Sequence, residues 1–165
     1  MPKRNKLVPL NPEQFYSDFP GLNKGNHTVS SPAGDTYNCI AFVVGDKDNW
    51  WWPPEYADAI MGRRFVFWPL KVKDDEPNYT IDNFVAALAT ERFTPCENGI
   101  LEKGIEKIAL FGDANRVRHA ALQLTNRNGR WKSKMGDNVD IEHELRAVEG
   151  DIYGKLLIFL CRPRR

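Results

Sequence analysis

The chain is short of cysteine and histidine, and it has no long apolar run. Among its 165 residues there are three cysteines and three histidines. Cys39, Cys96 and Cys161 are far apart and odd in number, which argues against a disulfide scaffold and fits a reducing compartment. No C-x-x-C or paired-histidine spacing occurs, so a zinc site is not favoured. We therefore predict no metal and no cofactor.

The charge of the chain is also nearly balanced. Its formal net charge is +1, so electrostatics gives no case for nucleic acid or a membrane surface as the main partner. No apolar run reaches the length of a membrane span, and residues 1–6 lack the apolar core of a signal peptide. We expect a cytoplasmic protein, with export by a signal-independent route left open.

The length and composition suit one globular domain, with 42% hydrophobic and 27% charged residues. We expect an irregular lead-in over 1–32 and a folded core over 35–163. Helical periodicity follows Thr80, which is placed as an N-cap. Further on, strand-like segments linked by turns predict an antiparallel meander over 107–111, 119–124, 130–135 and 153–160, with a short helix at 140–148. The fold class predicted is α+β, with helices first and a four-stranded antiparallel sheet after them.

A short apolar helix with a cysteine in its first turn is predicted after residue 38. Asp35, Thr36 and Asn38 can cap its start, and Gly45 lies where a helix of that length would end. Unpaired N–H groups at a helix N-terminus favour a thiolate over a thiol. Cys39 is therefore a candidate nucleophile.

His119 opens the second predicted strand and is the candidate base. Strand alternation puts it on one face with Ala121 and Gln123, where the Cys39 helix is expected to pack. Ser133 is the candidate for the group that orients the imidazole, with Gln123, His143 and Asp140 as alternatives. Two structural alternatives stay open, because a histidine at a strand start is often structural and a buried cysteine is often inert.

Three consecutive tryptophans, Trp50, Trp51 and Trp52, come soon after the cysteine helix. Because side chains on consecutive residues point in different directions, we expect at least one indole to be partly exposed. Such a ring would line a substrate groove or anchor the rim of a proline-rich loop.

Several motifs together resemble an uncharacterised family of small bacterial domains with the pattern N-C-x-A, W-W-W-P, H-x-A and W-x-S-K-x-G. They are Tyr37 to Phe42, Trp50 to Pro53, Glu106 to Leu110, His119 to Ala121, Trp131 to Gly136 and Ile141 to His143. Their order is similar to the NlpC-type and CHAP-type branches of the papain-like cysteine hydrolases.

The resemblance implies a papain-like fold and a cysteine hydrolase or acyl transferase that acts on an amide bond of a peptide or protein substrate. It places Cys39 as nucleophile and His119 as base and leaves the third position open, for which Ser133 remains the candidate. Asn38 and Tyr37 would support the oxyanion, together with Gln123 and His143 as supporting groups. The alternative is a catalytically inactive papain-like binding module that uses a tryptophan-rich surface to contact another protein.

Overall fold

The computed structural model describes residues 7–54, 66–73, 75–126 and 128–165. Its helices are short, and its strands come mostly from the second half of the chain. The helices are α1 (Pro12–Asp18), α2 (Cys39–Val44), α3 (Ile81–Ala89) and a 3-10 turn (Leu145–Val148). The strands are β1 (His27–Ser31), β2 (Trp50–Trp51), β3 (Val66–Phe67), β4 (Thr94–Cys96), β5 (Ile105–Asp113), β6 (Arg116–Gln123), β7 (Trp131–Lys134), β8 (Asp140–His143) and β9 (Lys155–Pro163).

Seven of these strands form one sheet in the order β1-β8-β7-β6-β5-β9-β4. Every neighbouring pair in it is antiparallel. The strands β2 and β3 form a separate parallel pair. The predicted α+β, papain-like arrangement with a four-stranded sheet is therefore wrong: the described part of the chain is mostly antiparallel β structure.

The secondary-structure prediction failed for strands whose pairing partner is distant in the sequence. The segment 140–148, predicted as a short helix, contains β8 and then a 3-10 turn. The lead-in was predicted as irregular over 1–32 apart from one possible helical turn at 12–16, where α1 is found. It also contains β1, which was not predicted and pairs with β8. Four- and five-residue strands carry too little local pattern to be told from a helix or a loop.

Both faces of the central strands are buried. One, which we call the helix face, includes Ile108, Leu110 and Ala120 and packs in one cluster with α2, α3 and the three tryptophans. The other, which we call the lead-in face, includes Ala109, Phe111 and Ala121 and lies under a second cluster, made of Phe15, Phe19, Leu22, Met135, Val139, Ala147 and Val148 among others. The sheet is thus the middle layer of the molecule, and its central strands meet solvent on neither face.

Local helix signals in the sequence are confirmed. The Asn38 side chain caps α2 by accepting a hydrogen bond from the Ala41 N–H at 3.1 Å. The helix ends at Gly45, which has a φ of 86°. The Thr80 hydroxyl likewise caps α3 by accepting from the Asn83 N–H at 3.3 Å.

The prediction that at least one tryptophan is exposed is wrong. Trp50, Trp51 and Trp52 are only 7%, 3% and 8% exposed. The Trp51 indole packs against Phe67 and donates to Asp46 at 2.8 Å, whereas the Trp52 ring packs against Phe84 of α3. Consecutive side chains can all be buried here because this segment has protein around it on several sides.

Gly154, directly before β9, lies against the backbone of Gly112. Gly154 has a φ of +71°, and a Cβ there would lie 2.1 Å from the Gly112 carbonyl oxygen. Gly154→Ala should therefore lower the free energy of unfolding by about 3 kcal/mol or more. In the control Gly129→Ala, φ is +76°, but beyond its chain neighbours no atom of a described residue lies within 4 Å of the added Cβ, so we expect a loss of only about 1 kcal/mol. Urea unfolding measures both, and equal losses would contradict the contact.

Candidate functional site

Cys39 is the first residue of α2, as predicted, but its thiol is buried. The residue is 5% exposed and belongs to the cluster on the helix face. Burial raises the pKa of the Cys39 thiol to about 11, although backbone N–H groups of Ala120, Ile40 and Cys39 itself and the charge of Lys134 favour the thiolate. The thiol is therefore protonated at neutral pH, and desolvation outweighs the effect of the helix N-terminus.

His119 lies on the opposite face of β6. It is fully buried, and its ring stacks on Tyr153 at 3.8 Å between centroids, with Phe111 nearby. Because alternate residues of a strand face opposite sides, Ala120 faces α2 and His119 faces away from it. The predicted alternation is correct, but the helix packs on the other face. The structure thus separates Cys39 from His119 by the backbone of β6.

His119, Ser133 and His143, all predicted as site residues, do come together. The Ser133 Oγ atom lies 2.9 Å from His119 Nε2 and 2.7 Å from His143 Nε2. His143 Nδ1 lies 2.7 Å from the Glu144 carbonyl oxygen, to which it must donate. His143 Nε2 then accepts from the Ser133 hydroxyl, whose oxygen accepts from His119 Nε2–H. The three side chains form one directional chain of hydrogen bonds.

Burial keeps both imidazoles of this chain neutral. Desolvation lowers the pKa of His143 to about 4, and it lowers the pKa of His119 well below its usual value, with a further contribution from His143. The His119 Nδ1 atom is buried and has no hydrogen-bond partner among the described residues. A neutral histidine sealed in this way cannot exchange protons with a substrate unless the core opens.

The predicted supporting residues have structural contacts instead. The Asn38 side chain bonds both the N–H and the carbonyl of Trp51, at 3.0 and 2.8 Å, and so fixes the tryptophan segment to α2. The Tyr37 hydroxyl donates to Asp140 at 3.3 Å. Gln123 donates to the Gly99 carbonyl at 2.6 Å. None of these contacts directs a donor at the Cys39 sulfur.

The surface of the described residues offers a different site, at the edge strand β1. A polar concavity of about 770 Å³, which we call the polar shelf, lies over β1 and β8 and has no residue of α2 in its lining. Thr28, Ser30, Arg130 and Glu142 contribute to its lining. Sequence reasoning missed this site because it placed β1 in an irregular segment, although Thr-Val within His27–Ser31 is a strand-like pair.

A second concavity adjoins β1 from the other side. This one, which we call the edge groove, has a volume of about 510 Å³ and lies between the start of the described chain and β1. Its lining is mostly apolar, with two basic side chains: Leu7, Val8, Pro9, Pro12, Tyr16, Lys24, His27, Thr28 and Val29. Tyr16 is held in place by a 3.0 Å hydrogen bond to His27 Nε2. Thr28 lines both concavities, so the edge strand runs between them.

Comparison with known proteins identifies the family and nothing beyond it. The architecture is that of a mainly antiparallel β domain with a buried polar centre and an open edge. The chain belongs to the family described as Domain of unknown function (DUF7689), whose model matches residues 28–161. No curated protein matches the chain. No solved structure matches it either.

Two further findings bear on ligands and location. Within the described ranges, no three histidine, cysteine, aspartate or glutamate side chains are gathered as a metal site requires. Among the helices that the structure describes, none is long and apolar enough to cross a membrane.

The buried thiol predicts slow alkylation of Cys39. A rise of the pKa from 9.0 to about 11 lowers the thiolate fraction about 100-fold at neutral pH. Iodoacetamide should therefore label Cys39 at least about 100-fold more slowly in the folded chain than in urea. Peptide mapping by mass spectrometry measures the rate at each cysteine. The catalytic hypothesis predicts instead that, in the folded chain, Cys39 is alkylated fastest of the three cysteines.

The buried histidines predict a loss of stability in mild acid. In the unfolded chain the His143 imidazole binds a proton near pH 6.5, whereas in the folded chain its pKa is about 4. The histidine contribution to the free energy of unfolding is therefore fully present above pH 6.5 and is lost as the pH drops toward 4. The loss is at most about 1.4 kcal/mol per pH unit for each histidine. His143→Gln should reduce this slope between pH 6.5 and 4 in urea unfolding. A slope identical to that of the wild type would refute the assignment.

Proposed function

We propose that the protein is a non-catalytic binding domain that takes up an extended peptide segment of a partner protein as an added strand beside β1. The observation that carries the proposal is the open hydrogen-bonding edge of β1 between two concavities of different polarity. Strand addition to a free sheet edge is a common mode of peptide recognition, in which main-chain bonds give affinity and side-chain pockets give specificity.

The register of β1 supplies the free backbone groups. Asn26 accepts from the Glu144 N–H, and Thr28 pairs with Glu142, so these residues point their backbone groups toward β8. His27 and Val29 alternate with them and direct their N–H and C=O groups outward. No hydrogen bond joins these outward groups to another described residue. They can bond two residues of an incoming strand.

The two edges of the sheet differ in how they resist such pairing. At the far edge, β4 has only three residues and carries Pro95, which cannot donate a ladder bond. By contrast, β1 has five residues and contains no proline, lysine or carboxylate. Its irregularity between Val29 and Ser31 limits pairing to the first part of the strand. The edge at His27 to Val29 is therefore the better template.

The two concavities predict the pattern of the ligand. Side chains of an added strand alternate between the faces of the sheet. One set would meet the hydroxyl, guanidinium and carboxylate groups of the polar shelf, and the other would meet Val8, Tyr16 and Val29 in the edge groove. We expect the bound segment to alternate polar and apolar residues, with at least one apolar side chain buried in the edge groove.

The thiol hydrolase stays a prediction and receives no support from this geometry. It needs a thiolate and an imidazole within hydrogen-bonding reach, whereas Cys39 and His119 lie on different faces of the sheet and are 5% and 0% exposed. The tryptophan-rich binding surface lacks support for a similar reason, since all three indoles are packed in the interior. The binding hypothesis therefore moves to β1.

The proposal is tested with linear peptides selected from a random phage-displayed library against the whole folded chain. Val29→Pro removes an outward N–H, and its ring obstructs an incoming strand, so the selected peptides should bind at least about tenfold more weakly. Val29→Ala is the matched control, because it keeps the N–H and trims only the side chain; its effect should be clearly smaller. Fluorescence polarisation gives the dissociation constants.

Hydrogen exchange locates the bound peptide independently of any substitution. On binding, the amides of His27 and Val29 should exchange more slowly, while those of Thr94 and Cys96 at the far edge should not change. Peptides that bind Val29→Pro as tightly as the wild type, or that leave the β1 amides unaffected, would overturn the proposal.

A further inference from the structure

The pairing of β4 with β9 brings together two cysteines that are far apart in the sequence. Thr94 is the partner of Cys161 and Cys96 is the partner of Phe159. The two cysteines are thus two positions apart in register and share one face of the pair. Their side chains are therefore diagonal neighbours on adjacent strands. Both thiols are free and only partly buried, unlike that of Cys39.

Charged and polar groups around the pair distinguish the two sulfurs. Lys107 lies directly opposite Cys161 on β5 and is itself almost fully buried. Its ammonium bonds the Asn98 carbonyl at 3.1 Å and Glu102 at 2.9 Å, and the Cys96 thiol contacts the same carbonyl at 3.8 Å. A buried cation next to a thiol pair stabilises the thiolate needed for exchange.

The two thiols have different roles in such an exchange. Burial and the neighbouring Cys161 raise the pKa of Cys96 to about 11, against a smaller lowering by Lys107. Cys96 therefore keeps its proton at neutral pH, which leaves the first attack to Cys161, the cysteine that lies opposite the buried Lys107. In exchange chemistry the thiolate attacks first and the protonated thiol resolves the intermediate.

We propose that Cys96 and Cys161 form a reversible dithiol–disulfide site, oxidised by low-molecular-weight disulfides of the glutathione type, that links the edge strand β4 covalently to β9. The Cys161 thiol gives up its proton and attacks one sulfur of the small disulfide, and the other half leaves as a thiolate. Cys96 then gives up its proton and attacks the Cys161 sulfur, which expels the second small thiolate. The protein loses two electrons and two protons, and the small disulfide is reduced to two thiols.

The register also indicates that this bridge is a labile one. Diagonal neighbours on adjacent strands lie about 7–8 Å apart, farther than a relaxed disulfide prefers. A bridge here requires a small shift of β4, which is a three-residue edge strand and has one neighbour in the sheet. A strained and partly exposed disulfide is readily reduced again, as a switch requires.

The test uses the folded, full-length chain and oxidised glutathione as the probe. After acid quenching, free thiols are counted with Ellman's reagent in denaturant, and peptides are mapped without reduction. We expect the count to fall from three to one and a single linked peptide pair, Cys96 to Cys161. Added reduced dithiothreitol should restore all three thiols.

Two variants separate attack from resolution. Cys96→Ser should stop at the mixed disulfide on Cys161, and Cys161→Ser should react with glutathione at least tenfold more slowly at Cys96. Cys39→Ser, which leaves the pair intact, should form the same link as the wild type. The proposal fails if the wild type accumulates separate mixed disulfides at Cys96 and Cys161. It fails equally if the three thiols persist in the folded chain but react in urea.

Discussion

The burial of β5 and β6 on both faces is the constraint on which the rest of this structure depends. A strand covered on one face only would expose every second side chain to solvent or to a site. Here Ala120 packs on α2, and its neighbour His119 packs under Tyr153. The candidate catalytic side chains Cys39 and His119 are therefore buried, and they contact other groups of the protein.

Polar groups in such an interior need internal partners, and this chain supplies them in connected sets. Ser133 links two neutral histidines, and the Lys134 ammonium donates to the carbonyls of Gly34, Gly136 and Asn138. An unsatisfied donor at these positions would cost about 1–3 kcal/mol. Each N–H and O–H of the histidine–serine chain has a partner and only the His119 Nδ1 acceptor in it lacks one among the described residues, so the networks favour one arrangement of strands over its alternatives. The histidines thus join β6, β7 and β8 through Ser133 on the lead-in face.

The sequence predicts features that depend on neighbouring residues and fails on those that depend on distant ones. The caps at Asn38 and Thr80 and the alternation of β6 are local, and they were correctly predicted. The face on which α2 packs is not local, because it depends on a second layer that begins with Phe15 and Phe19. The same holds for β1, which is defined by its pairing with β8, and for the three tryptophans, whose burial requires α3 and β3 around them.

Because the central strands are buried on both faces, the groups that a partner or a small molecule can reach lie toward the two edges of the sheet. Six strand spacings of about 4.8 Å separate β1 from β4, so the edges are about 29 Å apart. One edge offers free backbone bonds between the polar shelf and the edge groove, and the other is shielded by Pro95 and bears the two partly exposed thiols. Between them, the central strands β5 and β6 are packed on both faces. Coupling between distant sites needs an element with two discrete arrangements, and we do not expect a centre packed on both faces to supply one. The two edges are therefore expected to act independently.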